Sequence, residues 1–259
     1  MTQFDESLGE GHFARKQIFC KDRLIAWAHR SRFEIGLELA RECAGGRVLD
    51  YGCGDGTFLA MLMDQPTVPA AAIGAELGAD GVRDCRARLG NKAGLEFLQI
   101  EELNGAEHAA TYDYIFCMEV LEHVVELETV LDDFVRLLVP NGRLFVSVPV
   151  ETGLPMIVKQ VARHIAGWRG IGDYPGIAPY TWREYWQSIF AGRRQHIARP
   201  IHRHADGSGF HDHKGFNWMA LREMLTERFQ IERQISSPLP WLPAHLASQV
   251  WLIVRKPEA

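Results

Sequence analysis

Two groups of residues in this sequence have types and spacing suited to chemistry. In the first, glycines alternate with other residues after one acid: Asp50, Gly52, Gly54, Gly56. In the second, two acids and a histidine fall within five positions: Glu119, Glu122, His123. Glycines let a backbone approach a ligand because they carry no Cβ. Carboxylates and imidazoles move protons or ligate cations, so the two groups are candidate binding and reactive sites.

The elements around these groups alternate between short apolar strands and helical patterns. Strands are predicted at 47–50, 71–75, 95–100, 114–118 and 143–149, and helices at 23–43, 57–65, 78–89 and 127–138. The turn Pro140-Asn141-Gly142 precedes the fifth strand. Such alternation predicts an α/β fold, a doubly wound parallel sheet with helices on both faces. Two late strands, at 229–235 and 249–255, suggest an antiparallel pair closing the sheet.

The glycine-rich run follows the first strand and opens a helix, where open α/β sheets bind ligands. It matches neither the GxGxxG fingerprint nor a phosphate loop. Glu76 ends the second strand about 20 residues beyond Gly56, where a carboxylate can accept hydrogen bonds from ribose hydroxyls. The glycine-rich run and Glu76 together predict a site for a nucleoside-containing ligand.

Composition limits the function classes. The chain has 259 residues and a net charge of −5, which fits one large α/β domain and disfavours a dedicated nucleic-acid binder without excluding that partner. Its five cysteines form no CxxC pair, so neither a disulfide framework nor a zinc site is expected. The polar N-terminus is unlike a signal peptide and no apolar run is long enough to span a membrane, which predicts a cytoplasmic protein.

Four motifs together are similar to those of class I S-adenosylmethionine-dependent methyltransferases. They are VLDYGCGDG (48–56), IGAEL around Glu76, FLQIEEL (97–103) and YDYIFCMEVLEHV (112–124). The resemblance implies a Rossmann-like, mostly parallel seven-stranded sheet and S-adenosylmethionine as cofactor. The predicted divisions are an N-terminal arm (1–22), a cofactor-binding core (23–150), an inserted cap (151–216) and the last part of the sheet (217–259).

The same resemblance assigns roles to individual residues. Asp50, Gly52, Gly54 and Gly56 would line the methionine part, and Glu76 would hold the ribose. Glu101 would contact the adenine amino group, although the family usually has Asp preceded by Gly there. Met118 and Glu119 would lie beside the sulfonium end of the cofactor.

Residues 119–123, EVLEH, resemble the motif of ubiquinone-biosynthesis O-methyltransferases and of small-RNA 3′-end 2′-O-methyltransferases. The latter add a later histidine in a segment HDHxFEW, which is similar to HDHKGFNW at 211–218. The resemblance implies a site for Mg²⁺ or another divalent cation with four ligands: Glu119, Glu122, His123 and His213. Alternatively, His123 acts without metal as a base, or His211 or His213 reaches in from the cap.

The predicted cap is rich in cations and aromatic residues. Between Lys159 and Lys214 there are nine Lys and Arg but four Asp and Glu, which would suit an anionic or aromatic acceptor. A helix over 154–168 is predicted as a lid, with peripheral membrane contact as the alternative. The leading hypothesis is O-methylation of a small-molecule hydroxyl. An RNA 3′-end 2′-O-methyltransferase and a non-catalytic ligand-binding protein are the alternatives.

Overall fold

The computed structural model describes residues 11–19, 23–157, 159–160, 180–203 and 207–258. Its helices are α1 (His12–Gln17), α2 (Arg23–Ala40), α3 (Thr57–Met63), α4 (Ala79–Leu89), α5 (Leu127–Leu137), α6 (Trp182–Ile189) and α7 (Trp218–Thr226). None of the helices within these ranges is long and apolar enough to cross a membrane. Most of the predicted lid helix over 154–168 falls outside the described residues.

The strands are β1 (Arg47–Tyr51), β2 (Ala71–Glu76), β3 (Leu95–Gln99), β4 (Tyr112–Met118), β5 (Leu138–Pro149), β6 (Ile201–Arg203), β7 (Gly209–His211), β8 (Gln230–Ser237) and β9 (Gln249–Arg255). Seven of them form one sheet in the order β3-β2-β1-β4-β5-β9-β8. The pairs β1–β2, β1–β4 and β2–β3 are parallel. The predicted α/β fold with a mostly parallel seven-stranded sheet is confirmed.

Buried apolar strands explain why the sheet forms. Val48 and Leu49 in β1 and Ile115 in β4 have no exposed surface. Strands covered on both faces carry continuous apolar runs instead of an alternating pattern. The register pairs Asp50 with Gly74 and Tyr51 with Ala75, so β1 and β2 end side by side.

The structure differs from the sequence-based expectations in two local features. The turn expected at Pro140-Asn141-Gly142 is part of β5, which begins at Leu138. Asn141 takes the positive φ of 63° that the turn signal reflects, within a strand that extends from Leu138 to Pro149. The hairpin β6–β7 was not predicted; it pairs Ile201 with His211.

The described chain divides into two compact units. The first contains residues 1–118, 133–146 and 253–259, and the second contains 119–132 and 147–252. The glycine-rich turn belongs to the first unit. The residues of EVLEH and of the HDHKGFNW segment belong to the second.

The N-terminal segment, expected as a polar arm, contains α1. The carboxylate of Asp55 accepts hydrogen bonds from the backbone N–H of Phe13 (2.8 Å) and Ala14 (2.9 Å). Ala14 and Ile18 are almost fully buried. The helix is therefore tied to the glycine-rich turn because Asp55 satisfies N–H groups that its first turn leaves open.

Candidate functional site

The glycine-rich turn requires glycine for a physical reason. Gly54 and Gly56 have φ values of 59° and 72°, in the left-handed region that costs a side-chain-bearing residue about 1–2 kcal/mol. A Cβ on Gly56 would lie 2.7 Å from Leu89 Cδ1. The shape of the turn therefore depends on backbone angles and close contacts that glycine allows.

Glu76 lies beside this turn, as the spacing predicted. Its Oε2 accepts a hydrogen bond from the Gly54 N–H at 2.8 Å, and its Oε1 accepts one from the Leu77 N–H at 2.9 Å. The residue is half-buried. A carboxylate fixed in this way keeps further lone pairs for a ligand's hydroxyl groups.

Asp50 is buried at the end of β1, with 2% of its surface exposed. Burial raises the pKa of its carboxyl to about 8, and the nearby charge of Glu76 raises it further, while Arg32 opposes the shift. Its Oδ2 has no hydrogen-bond partner among the described residues. A cationic group brought next to this oxygen would favour the ionised form, which fits the positively charged methionine part of S-adenosylmethionine.

Glu101 and Met118 occupy different surroundings. Glu101 is exposed in a short 3₁₀ helix after β3. With Tyr51 and Ile100 it lines a cavity of about 90 Å³. Met118 is the last residue of β4 and is half-buried. Their predicted contacts with the cofactor stay predictions.

In the second unit, Glu122 and His123 form part of a turn that follows β4. Glu122 is fully buried, whereas 38% of the His123 side chain is exposed. His123 Nε2 lies 3.8 Å from Glu122 Oε1. The His123 ring is thus partly open to solvent beside a buried carboxyl group, and an imidazole nitrogen can accept a proton.

His213 joins this pair from a segment far along the chain. One potential ligand atom each from Glu122, His123 and His213 lies within 4.8 Å of the others, and we call these three residues the Glu–His cluster. The His211 N–H donates to the His123 carbonyl at 2.9 Å. His123 Nδ1 lies 2.8 Å from the His211 carbonyl oxygen. Because a carbonyl oxygen only accepts, Nδ1 carries the proton and Nε2 keeps its lone pair.

The other predicted residues of this region lie outside the cluster. The Glu119 carboxylate accepts a hydrogen bond from the Ser147 hydroxyl at 3.3 Å, and Glu119 has a φ of 56°. His211 Nδ1 donates to the Pro200 carbonyl at 2.8 Å. Three of the four predicted metal ligands are thus together, and neither Glu119 nor His211 is part of that group.

Charge in the predicted cap is partly neutralised by ion pairs. Lys214 Nζ lies 3.0 Å from Glu184 Oε2, and Lys159 Nζ lies 3.0 Å from Glu151 Oε1. Trp182 and Phe190 are more than two-thirds exposed. The excess of basic residues in the sequence therefore overstates the positive charge that is available to a ligand.

Two residues with structural importance were not predicted. Asp55 anchors α1, and Arg199 bonds to the backbone around the Glu–His cluster. Asp55 was visible inside the glycine-rich run, where an acid next to a helix start is a capping signal. Arg199 stands in an Ala-Arg-Pro stretch that carries no comparable signal.

Comparison with known proteins identifies the family of this chain. A family model described as a methyltransferase domain matches residues 26–199, more than half of the chain. The ubiquinone biosynthesis O-methyltransferase of Aliivibrio fischeri is 33% identical over 118 residues, which are 45% of this chain and 49% of that protein. The chain thus spans about half the length of the curated relatives it matches.

Solved structures support the fold. A protein from Pyrococcus horikoshii gives a TM-score of 0.60 at 16% identity, covering 98% of this chain and all of that one. An S-adenosylmethionine-dependent methyltransferase from Methanosarcina mazei gives 0.56 at 15% identity, with 85% and 98% covered. The chain belongs to the methyltransferase-domain family, with the fold and motifs of a class I S-adenosylmethionine-dependent methyltransferase.

Proposed function

We propose that this protein transfers a methyl group from S-adenosylmethionine to a hydroxyl oxygen of a small molecule. The Glu–His cluster carries the proposal, since it offers an imidazole with a fixed tautomer next to a buried carboxylate. The relatives named ubiquinone biosynthesis O-methyltransferases favour an oxygen acceptor.

The first unit supplies the binding groups for the methyl donor. Gly52, Gly54 and Gly56 would line its methionine part, while Glu76 would present a carboxylate to the ribose hydroxyls. The buried Asp50 carboxyl favours a cationic neighbour. When bound, S-adenosylmethionine supplies a methyl group already activated by its positively charged sulfur. The protein's remaining task is to orient the acceptor and remove its proton.

His123 is the proposed base. Its Nε2 would take the acceptor's hydroxyl proton while the oxygen bonds to the methyl carbon, the bond from that carbon to sulfur breaks, and S-adenosylhomocysteine leaves. Glu122 stabilises the resulting imidazolium by its negative charge, and the bond from Nδ1 to the His211 carbonyl keeps the ring oriented. Proton transfer by a positioned base contributes about 10²–10⁴-fold to a rate.

A divalent cation also fits the cluster, which offers one carboxylate and two imidazoles. Glu122, His123 and His213 would hold it, and Glu119 would have to leave Ser147 to become the fourth ligand. Such a cation would lower the pKa of an acceptor hydroxyl. Two imidazoles suit zinc or iron better than Mg²⁺.

The second candidate is methylation of the 2′-hydroxyl at an RNA 3′ end. The observation that favours it is the position of His213, which comes from the HDHKGFNW segment and lies beside Glu122 and His123. A small-molecule acceptor remains the first choice because the net charge of the chain is −5, which disfavours binding to a polyanion.

Calorimetry with S-adenosylhomocysteine, followed by methyl-transfer assays on a catechol and on a short RNA, tests these alternatives. Binding together with methylation of the catechol alone is expected. Methylation of the RNA alone would replace the first candidate by the second, and absence of binding would contradict both. Loss of activity in EDTA, restored by one metal, would select the cation over the free base.

A further inference from the structure

Arg199 lies where two segments of the second unit meet. One terminal nitrogen of its guanidinium group donates to the carbonyls of Glu122 and Asp212, the latter at 2.9 Å. Its Nε donates to the Lys214 carbonyl at 3.3 Å. The guanidinium also lies 5.3 Å from the centre of the Phe216 ring. One side chain therefore bonds to backbone on both sides of the Glu–His cluster.

The three carbonyls show which residues the Arg199 side chain connects. The first belongs to Glu122, a cluster member, and the other two belong to Asp212 and Lys214, the direct neighbours of His213. The His123 and His213 ring centres lie 4.8 Å apart. His211 bonds directly to His123, and Arg199 adds a second link, between Glu122 and the two neighbours of His213.

Electrostatics acts in the same direction. Burial lowers the pKa of Arg199 to about 10, and the negative charges of Glu122 and Asp212 oppose that shift. The guanidinium therefore stays charged at neutral pH. A charged guanidinium donates stronger hydrogen bonds to the three carbonyls than a neutral donor would.

We propose that Arg199 is a positioning residue that holds His213 and Glu122 in place around His123. The expected effect of Arg199 on the rate rests on the proposed function, whereas its expected effect on the geometry of the cluster does not. Lysine cannot replace this residue fully, because a single ammonium lacks the rigid fork that reaches three carbonyls. Arg199→Lys should therefore keep the charge and lose part of the alignment.

The experiment compares Arg199→Met and Arg199→Lys with a matched control, Arg203→Met. Arg203 also donates to a carbonyl, that of Gly207 at 3.1 Å, but within the β6–β7 hairpin. Nitrogen-15 NMR of labelled histidines reports the surroundings of the His213 ring, and it needs neither substrate nor metal. Methyl transfer and S-adenosylhomocysteine binding are measured on the same proteins.

We expect Arg199→Met to shift and broaden the ring signals of His213, which loses the hold on both of its neighbours, and to lower kcat about 10–100-fold, as loss of a supporting contact does. Arg199→Lys should give NMR signals and a kcat between those of Arg199→Met and the wild type. Arg203→Met should match the wild type in both. S-adenosylhomocysteine binding should be unchanged throughout.

Unchanged histidine signals in Arg199→Met would overturn the inference, whatever the activity. If that variant fails to fold, unchanged signals in Arg199→Lys would overturn it equally. A wild-type protein without methyl transfer would contradict the proposed function alone, and the NMR result would still decide the role of Arg199.

Discussion

The glycine-rich turn and the Glu–His cluster both hold groups for chemistry, but they are built differently. In the turn, residues 50–56 are consecutive, and positive φ angles at glycines set the shape. The cluster joins distant parts of the chain: next to it, His123 and His211 are 88 positions apart and are linked by one backbone hydrogen bond and one from the His123 ring. The turn therefore depends on local backbone freedom, whereas the cluster depends on contacts that exist only in the folded second unit.

The largest expected effect separates the two regions by function. His123→Ala should lower kcat about 10²–10⁴-fold because the proposed base is lost, while S-adenosylhomocysteine binding stays intact. Initial rates and calorimetry on one preparation measure both. The exposed His196→Ala serves as control, and a wild-type rate in His123→Ala would remove that residue from the mechanism.

A change at the glycine-rich turn should have the opposite pattern and weaken cofactor binding first, and Glu76→Gln tests this. The amide keeps the shape and one acceptor but loses the charge, so affinity for S-adenosylhomocysteine should fall about 10–100-fold, since hydrogen bonds to charged groups contribute about 1.5–3 kcal/mol. Calorimetry measures the change, with the exposed Glu96→Gln as control. Undiminished affinity would show that Glu76 does not hold the ribose.

The dependence of the turn on glycine predicts a stability effect. Gly56→Ala should lower the free energy of unfolding by about 1–3 kcal/mol, the cost of a strained backbone position, because its Cβ would also meet Leu89. Urea denaturation measures it. Gly192→Ala is the control, since a Cβ there meets nothing within 4 Å; equal effects of the two changes would refute the strain argument.

The last effect concerns pH, and it is the smallest when measured over one pH unit. The Asp50 pKa near 8 exceeds its value of about 3.9 in an unfolded chain. The folded state therefore keeps a proton that the unfolded state releases, and this group makes unfolding easier as pH rises from about 4 to 8, by at most about 1.4 kcal/mol per pH unit. Asp50→Asn should flatten that slope in urea titrations at several pH values. A slope identical to that of the wild type would mean that Asp50 is ionised in the free protein.

Elements with strong local patterns were predictable. The second late strand is found at 249–255 as expected, and α2 fills the predicted helix up to Ala40. The predicted start of β5 was wrong: the Pro-Asn-Gly signal describes the local backbone shape, seen in the positive φ of Asn141, but the strand already begins at Leu138. The β6–β7 hairpin was missed because strands of three residues carry too little pattern to detect.

The sequence by itself determined the sheet and the glycine-rich turn, because these follow from apolar periodicity and from residues that are neighbours in the chain, and the resemblance of its motifs indicated the family. It also named Glu122, His123 and His213. Only the tertiary structure decided that these three come together, that Glu119 instead bonds to Ser147, and that Arg199 supports the group. Contacts between distant segments depend on how the whole unit packs, and no local pattern encodes them.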